Sequence, residues 1–511
     1  MKEIIKKNYV TIIFIILIVI GIGVRVYKFP NTIPEMNIDE IMTAVYAREI
    51  AETGKDLLGL SFPVYLLGWG GQSVVLVYLM TISVKVFGYT LFAVRLPTLI
   101  VSIISLFVFY DFVKKITNNK KIALIGLGLL AISPWHIMQS LFAWDCNMFP
   151  HFLLFAMDIF YTGILKNKKA IIYLSMAFFA ITLYCYGIAI YFVPFFLLIT
   201  AIYLVRKKKI KARDLIICMV VFLLFAWPII ITFAMNGLRI GQTIEIFNIT
   251  IPYYESLTRT TDMLFFSENV GVQFIKNIAY LLSMIVFQSD NIEWNVIPMF
   301  GTIYHISIVF AILGIIFKIK KIKQSKKEDN TGGFILITWI ILSLFTGILI
   351  NETTINRLNS IWYVLIIFSA IGIYEIYQVI KYKKLYKYGV ITVYAILFIT
   401  FSILLYTYHV EKINLSSCFS KGFYQTLTYI NVLDKKEIYY DNREPRGNLD
   451  FYVTLNKDEN KEYIKLNETD EVQNKLINLE DDDILVVNKI YKDYDSEYIK
   501  HVIGNFVIIY K

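Results

Sequence analysis

The chain has 511 residues, of which 57% are hydrophobic, 16% aromatic and only 18% charged, with a mean hydropathy of +0.59 and a formal net charge of +10. So much apolar mass with so little charge excludes an ordinary soluble globular protein. The basic surplus does not indicate nucleic acid, because Lys and Arg sit in short loops between apolar runs, where they orient a membrane protein.

The first apolar run covers 9–24 and is followed by no small-residue cleavage pattern, so it reads as a retained span and not as a signal peptide. Ten further spans are expected over 91–113, 121–139, 148–165, 170–184, 187–205, 214–234, 301–318, 333–350, 358–380 and 387–408. The basic clusters Lys2–Lys7, Lys114–Lys121, Lys166–Lys169, Arg206–Arg213, Lys318–Lys327 and Lys381–Lys387 all fall in the cytoplasm if an even number of spans separates each neighbouring pair. The N-terminus is then cytoplasmic and the C-terminus extracytoplasmic. One run, 72–87, breaks that parity. It is short, follows Trp69-Gly70-Gly71 and carries Lys85, so it is expected to be a juxtamembrane or re-entrant helix on the outer face.

The outer segments are then 25–90, 140–147, 235–300, 351–357 and the tail 409–511, with 271–287 patterned as an interface-lying helix. In the tail, Glu437–Tyr440, Phe451–Leu455, Ile484–Val487 and Asn505–Tyr510 have the character of strands. The expected fold is an all-α polytopic membrane protein of about eleven transmembrane helices plus juxtamembrane helices. Residues 1–408 form the membrane unit and 409–511 a small extracytoplasmic α/β domain. Four cysteines (Cys146, Cys185, Cys218, Cys418) are scattered, with neither metal-ligand spacing nor a disulfide framework. The abundance of Lys, Ile, Asn and Tyr fits a low-GC bacterial proteome.

Several outer residues are candidates for chemistry. In MNIDEIM (36–42), Asp39 and Glu40 stand together after the first span. Asp39 reads either as the N-cap of the following helix or as a carboxylate able to take a proton or hold a divalent cation. In ISPWHIMQSLFAWDCNMFPHF (132–152), Asp145 lies between two spans with Asn147 beside it, and His136 and His151 are placed to line the same rim. No His pair has zinc-helix spacing, so no zinc site is expected. In NETTINRLNSIWY (351–363), Arg357 reads as a lipid-headgroup anchor or a phosphate clamp, flanked by Asn356 and Asn359. In QSDNIEWN (288–295), Asp290, Asn291 and Glu293 are either acceptor or metal contacts or a solvated loop. Asp158 and Glu375 fall inside apolar runs near their cytoplasmic ends, where helix packing accounts for them.

The order of these features resembles the GT-C superfamily of membrane glycosyltransferases, which includes the protein O-mannosyltransferases, the bacterial aminoarabinose transferases and, more distantly, the catalytic subunit of oligosaccharyltransferase. The resemblance spans roughly residues 8–410. It rests on the Asp39-Glu40 pair, on Asp145 before the fourth span, and on ISPWHIM (132–138), WDCNMFP (144–150), LYCYGIAIYFVP (183–194) and INRLNSIW (355–362). Leu141 stands near where bacterial relatives often carry an Arg.

The resemblance implies a GT-C-like fold. It also implies a sugar donor on a polyprenyl phosphate, a glycan, lipid or protein acceptor, and reaction at the outer membrane surface of the cell envelope. Asp39, Glu40 and Asp145 would be catalytic, with Asp39 as the base of an inverting single displacement. Arg357, and after it Lys55 and Lys85, would bind the donor phosphate. His136, Asn147, Asp290 and Asn356 would contact substrate. A divalent cation is left open. The rival reading is a transporter or lipid flippase, which would place charges near the bilayer midplane on broken helices of repeated halves. Here the carboxylates lie at span ends, and no halves repeat.

Overall fold

The structure is a computed structural model that describes residues 2–68, 70–255, 263–324, 329–351, 353–416, 418–419, 422–441, 449, 453, 458–493 and 498–511, with side chains from residue 8 onward. It is predominantly helical. In chain order the helices are α1 (Lys2–Val26), α2 (Ile38–Thr53), α3 (Val75–Phe87), α4 (Leu91–Thr117), α5 (Lys120–Ala131), α6 (Pro134–Gln139), α7 (Met148–Leu165) and α8 (Lys169–Thr182). Then follow α9 (Ala189–Arg206), α10 (Ala212–Leu238), α11 (Val270–Phe287), α12 (His305–Gln324), α13 (Thr331–Leu349), α14 (Asn359–Val379) and α15 (Lys383–Leu404).

Among the described residues, nine helices are long and apolar enough to cross a membrane. Eight coincide with predicted spans, and the ninth is α11. The other three predicted spans are helical with departures. Residues 121–139 form two helices, because Pro134 cannot continue α5 and instead opens α6 as its first residue. α8 has only 14 residues. α12 begins after a turn in which Gly301 and Tyr304 take left-handed backbone angles, and its end carries Lys318, Lys320 and Lys321. The run at 72–87 folds as α3, whose 13 residues reach about 20 Å, short of the roughly 30 Å hydrocarbon layer.

The bundle core is apolar and close-packed. α12 crosses α14 backbone to backbone: a Cβ added to Gly314 would lie 2.0 Å from Phe368 O, and one added to Gly372 would lie 2.0 Å from Phe310 O. Ion pairs gather the short basic loops at one end. Lys115 pairs with Asp158 at 2.8 Å, Lys169 with Asp214 at 2.8 Å, and Lys209 with Asp329. The described residues of 27–68, 70–90, 132–147, 288–304 and 353–358 meet at the opposite end, through Ala143 with Glu40, Ser73 with Asp145, Ser133 with Thr302 and Ile355 with Asp290.

At that opposite end α15 continues through a π turn (Leu405–His409) into α16 (Val410–Asn414), then α17 (Phe423–Asn431) and a five-stranded sheet. The strands β3 (Glu437–Asp441), β4 (Glu462–Leu466), β5 (Asp483–Asn488), β6 (Ile499–Ile503) and β7 (Phe506–Tyr510) lie in the order β4-β3-β5-β7-β6, and a separate hairpin pairs β1 (Ile244–Ile246) with β2 (Ile249–Ile251). β3 is parallel to β4 and β5, while β7 is antiparallel to β5 and β6. The period of two sends Ile484, Val486, Phe506 and Ile508 toward α17, where Phe423 and Ile430 continue the core of the bundle. It sends Leu485, Val487, Val507 and Ile509 to the other face, against Val472 and Leu476 of α18 (Thr469–Ile477). Three of the predicted strands are present. Most of the fourth, Phe451–Leu455, lies outside the described residues.

Candidate functional site

The first acidic element is the opening turn of α2. Asn37 caps it, its Oδ1 accepting from Asp39 N at 2.9 Å, so capping is done two residues before Asp39. Asp39 is exposed in that first turn. Its neighbour has a different environment, because one helical residue turns the side chain by about 100°. Glu40 is fully buried and takes a bidentate pair from Arg95 of α4, Nε to Oε1 and Nη2 to Oε2, both at 2.8 Å. Arg95 also donates to the carbonyls of Pro30 (2.9 Å), Ile33 and Glu35 (3.1 Å), fixing the segment between α1 and α2. The third donor to Glu40 is the backbone N–H of Ala143, at 3.0 Å. That bond ties the first acidic element to the second.

The second element is a single 3-10 turn, Asp145–Asn147. Asp145 is partly exposed, and its Oδ2 accepts from Ser73 N at 3.3 Å, just ahead of α3. Gln72 donates from Nε2 to Thr43 Oγ1 at 2.5 Å, and Thr43 donates to Asp39 O at 2.7 Å. A chain of contacts therefore runs from Asp39 through Thr43, Gln72 and Ser73 to Asp145. Asn147 is buried and donates from Nδ2 to Gln139 O at 2.9 Å, shaping the loop from inside. Trp144 Nε1, buried next to Asp145, has no hydrogen-bond partner among the described residues.

The turn before α14 closes over this loop. Gln139 donates to Asn356 Oδ1 at 2.8 Å. Asn359 accepts from Trp135 Nε1 at 3.0 Å and donates to Cys146 O at 3.0 Å. Arg357 is partly exposed on the same turn, and its Nη1 donates to Asn351 O at 2.8 Å. Asp290 latches two segments together: its Oδ2 accepts from Asn295 Nδ2 (2.7 Å) and Ile355 N (3.0 Å). Burial pushes the Asp290 carboxyl above the ordinary carboxylate range, against the pull of those donors.

Four predicted site residues lie elsewhere. His136 is not on the rim, because the break at Pro134 turns α6 inward. Its Nδ1 accepts from Arg25 Nη2 (2.6 Å) and Nε (3.0 Å), and its Nε2 is bonded to Ser105 Oγ (2.8 Å) and Tyr363 OH (3.1 Å). His151 is also buried, 2.7 Å from Tyr363 OH. Lys55 is exposed just past the far end of α2, whose 16 residues reach about 24 Å. Lys85 is exposed in the last turn of α3, about 15 Å of helix rise from the end where Ser73 meets Asp145.

The sequence reading missed Arg25, Arg95 and Glu35. Arg25 also bonds the carbonyls of Gly21 (2.6 Å), Leu130 (3.2 Å) and Ala131 (3.0 Å), closing the open end of α5. Arg95 lies inside a predicted span, so the rule that flagged Asp158 and Glu375 would have flagged it. Glu35 is buried against the first turn of α17, where Tyr424 N donates to its Oε2 at 3.3 Å. Burial pushes its carboxyl up to about 8, opposed by the backbone N–H groups of that turn and by Arg95. Among the described residues, no three His, Cys, Asp or Glu side chains gather as a metal site.

Comparison with known proteins gives two kinds of match. Residues 72–231 match the family described as dolichyl-phosphate-mannose-protein mannosyltransferase, a segment that includes Arg95, Asp145 and Asn147. In fold, the chain is similar to ArnT from Cupriavidus metallidurans bound to undecaprenyl phosphate, with a TM-score of 0.55, 11% identity and 98% of each chain covered. The apo state of that protein matches at a TM-score of 0.55 and 10% identity, covering 99% of this chain and 98% of that one. The archaeal oligosaccharyltransferase AglB from Archaeoglobus fulgidus, in complex with an inhibitory peptide and a dolichol-phosphate, matches at a TM-score of 0.52 and 12% identity, covering 96% of this chain and 70% of that one. Among curated proteins, none matches in sequence. At these identities the structural likeness shows the fold, and neither it nor the matched segment favours a transporter.

Proposed function

We propose that this chain, a membrane glycosyltransferase of the GT-C superfamily, moves a sugar from a polyprenyl-phosphate carrier to an acceptor hydroxyl at the extracytoplasmic face. The observation that carries this reading is the convergence of the Asp39 turn and the Asp145 loop at one end of the bundle, joined through the Ala143 N–H bond to Glu40 and through Ser73. The fold is shared with proteins bound to undecaprenyl phosphate and to a dolichol-phosphate, which supports a lipid phosphate as the donor's carrier. The basic loops cluster at the other end, and positive residues favour the cytoplasm, so the acidic end and the C-terminal sheet face outward.

In the reaction the acceptor oxygen attacks the anomeric carbon from the side opposite the lipid phosphate. The bond from that carbon to the phosphate oxygen breaks, and the phosphate leaves with the electron pair. Asp39 takes the hydroxyl proton, and the anomeric centre inverts. Asp145 orients the acceptor or the base. Glu40, committed to Arg95, holds the turn. Arg357 meets the departing phosphate, and Lys55 and Lys85, at the far ends of α2 and α3, are the remoter candidates. Asn356 and Asn147 shape the pocket wall, and Asp290 holds the Arg357 turn in place.

The test uses purified full-length protein with radiolabelled undecaprenyl-phosphate hexoses and pentoses as donors and membranes as acceptor. Transfer that is lost in Asp39→Asn supports the base, and transfer that survives removes it. A single cysteine introduced at Lys55, against one at Lys208, reports the facing: labelling of position 208 from outside intact cells overturns the orientation.

A further inference from the structure

The connector from the last apolar helix to the C-terminal sheet crosses the acidic end of the bundle and touches both acidic elements. Against the first, Ile38 N donates to Cys418 O at 3.0 Å, and Asn37 faces Phe419 as an antiparallel bridge. Glu35 N donates to Asn414 Oδ1 at 3.3 Å, and Tyr424 N donates back to Glu35 Oε2 at 3.3 Å. The residues directly ahead of Asp39 are therefore tied to the connector by one antiparallel bridge. Against the second element, the Phe419 ring lies 5.7 Å from Phe142, and Phe142 stacks on Trp144 at 4.6 Å with 6° between the planes. Trp144 immediately precedes Asp145. All three rings are buried, and Phe419 also sits 5.7 Å from Trp294.

We propose that this connector, centred on Phe419, is a positioning clamp for the transfer reaction: it sets the spacing between the Asp39 turn and the Asp145 loop and couples both to the C-terminal sheet. The proposal rests on the reading of Asp39 and Asp145 as the reaction centre. Phe419 acts through its neighbours, with its backbone paired to the chain before Asp39 and its ring packed on the aromatic pair before Asp145. The links through Ala143 and Gln72 are single buried hydrogen bonds, whereas Phe419 packs a whole ring against Phe142. An aromatic ring is a large rigid spacer, and truncating it opens a void into which each loop relaxes on its own. Displacing reacting groups by about 1 Å costs on the order of a hundredfold in rate, so a small slip at this joint registers in turnover.

The test compares Phe419→Ala and Phe419→Leu in the full-length protein, using the radiolabelled undecaprenyl-phosphate sugars as probes and amide hydrogen exchange as a second readout. In Phe419→Ala, kcat falls about tenfold or more while the donor KM stays within about twofold. Exchange rises in both 38–43 and 142–147, and Phe419→Leu recovers most of kcat. Unchanged kcat, or faster exchange confined to one of the two segments, overturns the clamp. Should Phe419→Ala fail to fold, Phe419→Val takes its place with the same criteria. Asp39→Asn and Asp145→Asn run alongside: transfer surviving in both refutes the site reading, whereas transfer lost in both with normal kcat in Phe419→Ala refutes the clamp alone.

Discussion

Glu40 and Arg95 form a fully buried, bidentate ion pair that joins α2 to α4 beneath the candidate reaction centre. Each guanidinium and carboxylate contact is satisfied, and the remaining donors of Arg95 are spent on three loop carbonyls. Removing one partner strands a charge in a low-dielectric interior, at about 3–5 kcal/mol, while replacing both with apolar groups of similar volume avoids that penalty. Glu40→Gln and Arg95→Met are each expected to lower the thermal midpoint in detergent strongly. The double variant is expected to lose less than the sum of the two. Additive losses would show that the pair acts as two unrelated contacts.

Asn37, not Asp39, caps α2, so the proposed base can be tested apart from the cap. Because Asn37 accepts the Asp39 N–H, Asp39→Asn leaves the cap in place. Its thermal midpoint should stay near that of the parent, and kcat should fall by about 10²–10⁴, the usual worth of a general base. Asn37→Ala should do the reverse, costing about 0.5–2 kcal/mol of stability through the lost cap with a smaller effect on kcat. A large stability loss in Asp39→Asn would return Asp39 to a structural role.

The buried carboxyl of Glu35 gives the joint between the bundle and α17 a pH dependence. Its ordinary value is 4.5, and burial raises it to about 8 in the folded protein. A raised acid favours the folded state while both states are protonated, and that contribution is lost as pH rises from about 4.5 through about 8. Arg95 is the charged group that opposes the shift, and the N–H groups opening α17 oppose it as well. The thermal midpoint of the parent should therefore fall between pH 5 and pH 8 by more than that of Glu35→Gln, whose curve should be flatter. Amide exchange across 422–427 should follow the same profile. Parallel curves for the two proteins would remove Glu35 as the source.

The sequence showed eight of the eleven expected spans because each is a continuous apolar run, and it showed the helix at 75–87 as too short for a crossing. It missed what depends on tertiary partners. Glu40 and Asp39 are adjacent and equally polar, yet only the face packed on α4 decides that one is buried against Arg95. Arg25 reads locally as a basic flank, whereas in the fold it closes the end of α5 and grips His136. The break before α6 was written in Ser133-Pro134 but hidden by the apolar residues on either side. Strands β4 (EYIKL) and β6 (IKHVI) escaped notice because both are sheet edges, where charged side chains are tolerated and the apolar alternation weakens.

Arg357, Lys55 and Lys85 are ranked by their distance from the two acidic elements. Arg357 shares its turn with Asn356, which is bonded to Gln139 at the base of the Asp145 loop. One of its N–H groups is already oriented by Asn351 O at 2.8 Å, which holds the guanidinium plane in a fixed direction. A planar fork held in that way stabilises a leaving phosphate better than a single ammonium does. Arg357→Ala is therefore expected to lower kcat over KM for the donor by about 10²–10³, comparable to losing one oxyanion donor. Arg357→Lys should recover only part of that loss. Lys55→Ala and Lys85→Ala, at the far ends of α2 and α3, are expected to have smaller effects that salt screens more readily. A larger loss at Lys85 than at Arg357 would move the donor phosphate to the other end of α3, and the pocket would then have to be drawn along that helix.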